Sequence, residues 1–333
     1  AGMLMMVDEQ AHALKRTWCC LEQYMALTPD GSRQDPLLLD IAVDYKGAQA
    51  GVMHVTIITD GLTEAEQKQE DDGQSGWIAK AKREADLPIH ILTSALAIDI
   101  GTSQATQERD RRRILNALSG RPLQDLDHPP SKTHEVYEHV NARIRAFFAA
   151  AGWRQVVEAN LPQWSQITTA KLSSCLQADI HRQTLQLSFL HAAAAFNNSK
   201  LKEVTDALPP SLTELNLMVG GCMIDRHGLA DLLQRLPTSL ESLSLGLARA
   251  NLGDADLGIL SCLLPEKLAN LELGLSGTNV AELPGLAFPK SLMTLVLHLS
   301  NNPSVGSNAM KSIAEAVPST LRGLAILLRR TTV

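Results

Sequence analysis

Glu22 is the side chain whose surroundings most invite chemistry. It lies four residues after Trp18, on a stretch where Trp18, Leu21 and Met25 recur at the three-and-four spacing of one helix face. A carboxylate at the rim of an apolar stripe is a candidate for perturbed ionisation. The plainer role is a helix-surface glutamate paired with Lys15, Arg16 or solvent. A second candidate is the turn Ala97-Ile98-Asp99-Ile100-Gly101-Thr102-Ser103, which reads like a phosphate-binding loop. That type of turn joins two strands, whereas Gln104–Leu118 has a helical pattern, and no second phosphate loop accompanies it. The run Arg109, Arg111, Arg112, Arg113 could also hold phosphate. With Glu108 and Asp110 interleaved, a charged outer helix face is the expected reading. His12, His54, His90, His128, His134 and His139 share no evident partner. The motifs G-x-x-x-x-G-K-[ST], G-x-S-x-G, H-E-x-x-H and C-x-x-C do not occur. The sequence therefore implies no cofactor and no metal site.

Composition narrows the class further. A chain of 333 residues has room for two domains, or for one domain joined to an extended array. Hydrophobic residues make up 45%, charged residues 20% and aromatics only 4%, with leucine carrying most of the apolar load. A net charge of -6 argues against a nucleic-acid binder held by a basic face. The five cysteines are odd in number and have no ligand spacing: Cys19 and Cys20 are adjacent, while Cys175, Cys222 and Cys262 are isolated. Reduced thiols in a cytoplasmic protein are expected rather than a disulfide framework. No apolar run reaches the roughly 18–20 residues of a membrane helix. The opening Ala1–Val7 is too short for a signal peptide and enters on a strand-like run, so the chain is expected to begin inside a domain.

The elements that must position any site show best in the second half, where one phrase recurs. A proline, one or two small or polar residues and then L-x-x-L-x-L appear at Pro210 with Leu212, Leu215 and Leu217, and at Pro237 with Leu240, Leu243 and Leu245. They return at Pro265 with Leu268, Leu271 and Leu273, at Pro289 with Leu292, Leu295 and Leu297, and at Pro318 with Leu321, Leu324 and Ile326. The lead leucines are 28, 28, 24 and 29 residues apart, and Leu185 and Leu187 suit an earlier, degenerate copy. The second and third leucines alternate at period two, a short strand with one buried face. Between strands the spacing turns helical, at Leu229, Leu232, Leu233 and Leu236, at Leu257, Leu260 and Leu264, and at Ala309, Ile313 and Val317. A proline then ends each helix. Such units cannot bury their apolar side alone and must stack.

This pattern resembles the leucine-rich repeat family, in its long, ribonuclease-inhibitor-like form, over residues 183–333. Family members place Asn or Cys soon after the strand to bond the turn backbone. Here Asn251 and Asn279 lie eleven residues after their lead leucines and Cys222 ten after its own, so a longer turn is expected. The 24-residue repeat has Leu283-Pro284-Gly285-Leu286 where a helix would stand, and a loop or short 3₁₀ turn is expected there. The resemblance implies a binding surface on the concave strand face. Carried over by position, that surface comprises Glu214, Asn216, Met218, Ser242, Ser244, Asn270, Glu272, Thr294, Val296 and His298. The set is polar, weakly acidic and free of aromatic anchors.

The first half reads as an α/β unit with a largely parallel sheet. Short strands are expected at Leu4–Val7, Leu37–Val43, Val52–Ile58 and Ile89–Thr93. A helix should start near Ser103 and stop at Gly120. Another should carry Val136, Val140, Ile144 and Phe147 and end at Ala150-Ala151-Gly152. Asp60–Gly76 should be a solvated loop or frayed helix. The strand Met3–Val7 followed by Trp18, Cys19 and Glu22 in a W-C-x-x-E arrangement resembles part of a TIR-type domain. Ile98-Asp99-Ile100, Ala105 and Asp110-Arg111 are similar to a phrase in protist and algal proteins that join such a unit to leucine-rich repeats. The resemblance implies a flavodoxin-like fold and, in enzymatic members, a glutamate that helps cleave the nicotinamide–ribose bond of NAD. That role would fall to Glu22. It also implies that the family's first strand and helix would precede residue 1, leaving the nucleotide pocket incomplete and this chain inactive.

The sequence thus predicts an incomplete TIR-like parallel-sheet domain over 1–150, a helical connector over 151–182 and an α/β leucine-rich-repeat solenoid of about five to six repeats over 183–333. The expected function is a cytoplasmic protein-interaction and signalling scaffold, with a protein partner and neither nucleic acid nor membrane. The alternatives are an NAD-cleaving enzyme working through Glu22 and a structural spacer. Oligomeric state is left open.

Overall fold

The computed structural model describes residues 2–28, 37–46, 53–59, 61–71, 76–158, 168–190, 192 and 195–332. The chain is mixed α/β and forms two compact units, residues 1–153 with 161–179 and residues 154–160 with 180–333.

The first unit runs β1 (Gly2–Val7), α1 (Thr17–Leu27), β2 (Leu38–Lys46), β3 (Met53–Ile58), α2 (Glu64–Asp71), α3 (Gly76–Glu84), α4 (Ile89–Leu96), α5 (Glu108–Leu118), α6 (Glu135–Glu158) and α7 (Thr169–Ala178). Its sheet has the order β1-β2-β3. The first pair is parallel and the second antiparallel, so the expectation of a largely parallel sheet is corrected. Met5, Val7, Leu39, Ile41, Val43 and Ile58 fill the buried face, as a period of two requires.

Several local expectations also change. Ile89–Thr93 is not a strand but the first part of α4, which buries Ile91, Leu92, Ala95 and Leu96 at helical spacing. A five-residue apolar run does not distinguish the two periods, and tertiary packing decides. Within Asp60–Gly76, α2 is a formed helix. Its Glu66 is buried and takes a two-pronged pair from Arg83 of α3. The Arg83 bonds also reach Ile57 and Thr59, so Glu66, within the stretch expected to be solvated, instead helps fasten two helices to the end of β3. The α5 helix begins at Glu108, after a 3₁₀ turn at Ile100–Thr102, and Gly120 at φ +74° follows its end. The α6 helix does not stop at Gly152 but continues to Glu158. Gly152 is needed because a β-carbon there would lie 2.4 Å from the Leu92 side chain of α4.

The second unit runs β4 (Thr184–Ser188), α8 (Asn198–Asp206), β5 (Glu214–Met218), α9 (Arg226–Arg235), β6 (Ser242–Gly246), α10 (Asp254–Ser261), β7 (Asn270–Gly274), β8 (Thr294–His298), α11 (Ser307–Ala316) and β9 (Gly323–Leu327). The six strands form one parallel sheet in sequence order. Leu185, Leu215, Leu243, Leu271, Leu295 and Leu324 pair in register, as do Leu187, Leu217, Leu245, Leu273, Leu297 and Ile326. From β4 to β8 these leucines are buried, with one exception at Leu273. The register is the same at every step although these leucines are 24 to 30 residues apart, so the strand phrase sets it and not the repeat length.

Three backbone devices recur with the same spacing. The residue three past each of β5 to β9 is left-handed: Gly221, Arg249, Gly277, Asn301 and Arg330 all have φ between 56° and 74°. The first four of these donate their N–H to the next turn, at Ala248, Ser276, Ser300 and Arg329. Arg249 has a β-carbon in a region that favours glycine. Arg249→Gly should therefore raise stability by about 1 kcal/mol, and Gly221→Ala should lower it by a similar amount, both read by urea denaturation. The hydroxyl before the lead leucine forms the second device. Ser239 donates to Pro210 and Leu212, Ser291 to Glu266 and Leu268, and Thr320 to Lys290 and Leu292. The third satisfies the turn backbone from the side. Buried Asn302 donates to Leu275 and Leu299, Thr278 to Leu275, and Cys222 to Phe189. Asn251 and Asn279 instead bond to each other on the surface, so the turn-bonding asparagine is Asn302, which sequence spacing overlooked.

No helix separates β7 from β8, in line with the expected loop. Both carboxylate oxygens of Asp254, at the start of α10, accept from this loop, from Ala281 at 2.9 Å, Glu282 at 3.0 Å and Leu283 at 3.1 Å. Without a helix to cover it, the core is thin here. A leucine-lined cavity of about 30 Å³ adjoins Leu273, Leu283, Leu286 and Phe288.

Candidate interaction face

The strands of the second unit alternate buried leucines with outward residues, and the parallel register gathers the outward ones into rows. Glu214, Ser242, Asn270 and Thr294 form one row, with Thr184 and Gly323 at its ends. Asn216, Ser244, Glu272 and Val296 form the next, with Gln186 and Ala325. Met218 and His298 stand in the third, separated by Gly246 and Gly274. All ten face residues picked from the sequence thus share one strand surface, and none of them is fully buried. The two glycines were missed. Aligning the copies one residue beyond the third leucine would have found them, as Met218, Gly246, Gly274 and His298.

The face has an ordered polar centre. Ser244 Oγ donates to Glu272 Oε2 at 3.1 Å, and His298 Nε2 lies 2.9 Å from Glu272 Oε1. The His298 hydrogen bond, followed by charge and Ser244, holds the Glu272 carboxyl below its ordinary range against the opposing effect of partial burial. The carboxylate sits in the middle of this chain. Among the described bonds none joins the imidazole to the hydroxyl, so the base-to-nucleophile contact of a hydrolytic triad is not formed. What the arrangement does is fix one carboxylate in place.

In the first unit, Glu22 lies on the exposed side of α1 with Trp18 and Met25, while Thr17, Cys20, Gln23, Ala26 and Leu27 form the buried side. The apolar stripe of Trp18 and Met25 therefore faces outward. Burial pushes the neighbouring Cys19 thiol up, and the Glu22 charge adds to that. Lys15 and Arg16 turn elsewhere, to Gln10 and Thr106. The Asp99–Ser103 turn is closed by the protein's own groups. Asn141 bonds both Asp99 and the Ile100 N–H, and Arg111 donates to the Gly101 and Ser103 carbonyls. Arg111 thus departs from the outer-face reading given to its run, whereas Arg109 and Arg113 do face outward, onto Asp127. Thr17 Oγ1 meets Ser103 Oγ at 2.8 Å, so the two sequence phrases of the first half come together as one structural joint.

Among the described residues no group of His, Cys, Asp or Glu could hold a metal ion, and no helix is long and apolar enough to cross a membrane. All five cysteines are free.

No protein-family model matches the chain, and no curated protein does. A solved structure similar to part of it is the tropomodulin C-terminal domain from Caenorhabditis elegans, at 17% identity over 32% of this chain and 67% of that one, with a TM-score of 0.26. A likeness that slight carries neither fold nor function to this protein.

Proposed function

We propose that residues 183–333 are a leucine-rich-repeat solenoid that binds a protein partner on its strand face, within a cytoplasmic interaction and signalling scaffold whose first half is a TIR-like module. The observation that supports this most is the common strand surface shared by Glu214, Asn216, Met218, Ser242, Ser244, Asn270, Glu272, Thr294, Val296 and His298. Parallel strands fix these side chains at intervals of about 4.8 Å, a rigid array that loses little entropy on binding. The leucines beneath contribute the rigidity, and the outward residues are free to vary the specificity.

The test compares capture of partners by the full chain and by two variants. Asn216→Arg with Ser244→Arg puts bulk and charge on the face. Lys311→Glu changes an exposed residue of α11. The face variant should weaken capture by about tenfold or more, and the α11 variant should leave it unchanged. If the face variant captures the same proteins equally well, a spacer role replaces the binding role.

A further inference from the structure

The strand face has a chemical bias that its list of residues does not make obvious. Glu214 and Glu272 are carboxylates, and no lysine or arginine stands at any outward position of β4 to β9. Apart from Met218 and the exposed Leu327, the remaining positions are hydroxyl, amide or small apolar groups with one imidazole. The face therefore carries its negative charge with no lysine or arginine to balance it, the His298 imidazole on Glu272 being its single basic group.

It also has a notch beside one of those carboxylates. A β-carbon on Gly246 would lie 2.3 Å from Met218 Sδ, so the Met218 side chain is laid across Gly246. A β-carbon on Gly274 would meet backbone first, at 3.2 Å from Gly246 Cα and 3.8 Å from the chain on either side of it. The space above Gly274 is thus floored by backbone, with Met218 on one side and His298 on the other. Glu272, two residues before Gly274, stands on the same strand face and closes a third side. Its oxygens each take one bond, from His298 and from Ser244. A carboxylate oxygen has two acceptor sites, so each keeps one for an incoming donor. The two existing bonds hold the carboxylate still, and the cost of orienting it on binding is already met.

We infer that this notch receives a basic side chain, arginine or lysine, of the partner protein, with its aliphatic stem on Gly274 against the Met218 thioether and its cation on Glu272. The inference rests on the binding role proposed for the strand face and names the chemistry of the partner at its centre. A flat guanidinium is the better fit, since it can engage both free acceptor sites at once and lie against the His298 ring. Met218 supplies a polarizable surface that adapts to the stem.

The experiment uses the full chain labelled with ¹³C at its methionine methyls, with the Met218 signal assigned from Met218→Leu. Arginine amide and a short Gly-Arg peptide are the probes, with norleucine amide and a Gly-Glu peptide as controls. The Met218 methyl should shift with both arginine probes and not with either control. Glu272→Gln should weaken the arginine peptide by about tenfold or more, as loss of a charged hydrogen-bond acceptor requires. Gly274→Ala, for whose β-carbon the neighbouring strand must give by a few tenths of an ångström, should weaken it by filling the notch, and unchanged methionine signals elsewhere would show that this variant is folded. A Met218 signal that ignores arginine, or a response that survives both substitutions, overturns the inference. Should partner capture then still depend on Asn216 and Ser244, the binding face stands and only the basic anchor falls.

Discussion

Leu217→Ala should lower the stability of the repeat unit by about 3–4 kcal/mol, while Leu273→Ala, at the equivalent position two strands away, should lower it by about 2 kcal/mol. The two leucines occupy the same register position, through Leu245 between them. Leu217 is fully buried, whereas Leu273 is partly exposed beside the cavity left by the missing helix. Truncating a leucine costs the transfer of its lost methyl groups and a further term for the void created. Where the side chain already adjoins a gap, less contact is removed. Urea denaturation followed by far-ultraviolet circular dichroism measures both variants. Equal losses would mean that the short repeat is packed as tightly as its neighbours.

The second large effect is expected at Asp254. Asp254→Ala strips three backbone N–H groups of their acceptor, at Ala281, Glu282 and Leu283, and Leu283 is also held in a left-handed conformation at φ 54°. Hydrogen bonds to a charged group contribute about 1.5–3 kcal/mol when lost, and here several share one carboxylate. The expected destabilisation is about 3 kcal/mol. Asp254→Asn keeps acceptors on only one of the two atoms and should fall between the wild type and alanine. Amide hydrogen exchange at residues 281–283 localises the effect. Fast exchange should be confined to this loop and the neighbouring α10, and protection at Leu217 should change least, since that strand lies two away. An alanine variant that keeps full protection at 281–283 would show that the loop is held by its leucines instead.

These two sites also mark where sequence reading reaches its limit. The repeat spacing and the alternation of leucines determined the strands from β5 to β9, their common face and the residues on it. Both rest on period and spacing, which are local and repeated. The absence of a helix in the 24-residue repeat was legible too, because Leu283-Pro284-Gly285-Leu286 cannot sustain one. Spacing did not identify Asp254 as the clamp that holds this loop. An aspartate in the first turn of a helix is ordinary, and only the fold brings another repeat's N–H groups to it. The same holds for Asn302, whose role depends on being buried between two turns.

The first half shows the boundary more sharply. Ile89–Thr93 carries no period long enough to separate helix from strand, and it folds as the start of α4, with Leu92 close against Gly152. Glu66 lies in a stretch that reads as solvated because charge is normally exposed, and the structure joins it to Lys80, Arg83 and Glu84. Together they form a buried network, which only mutual contact makes tolerable. Arg111 differs from Arg109 and Arg113 in standing three, four and seven residues before Ile114, Leu115 and Leu118, and helical geometry turns that one inward, onto the Gly101 and Ser103 carbonyls. Sequence by itself determined what repeats and what alternates, since backbone geometry converts such periods directly into faces. Tertiary structure decided which polar groups meet, because most of their partners lie on other elements and no local rule records the pairing.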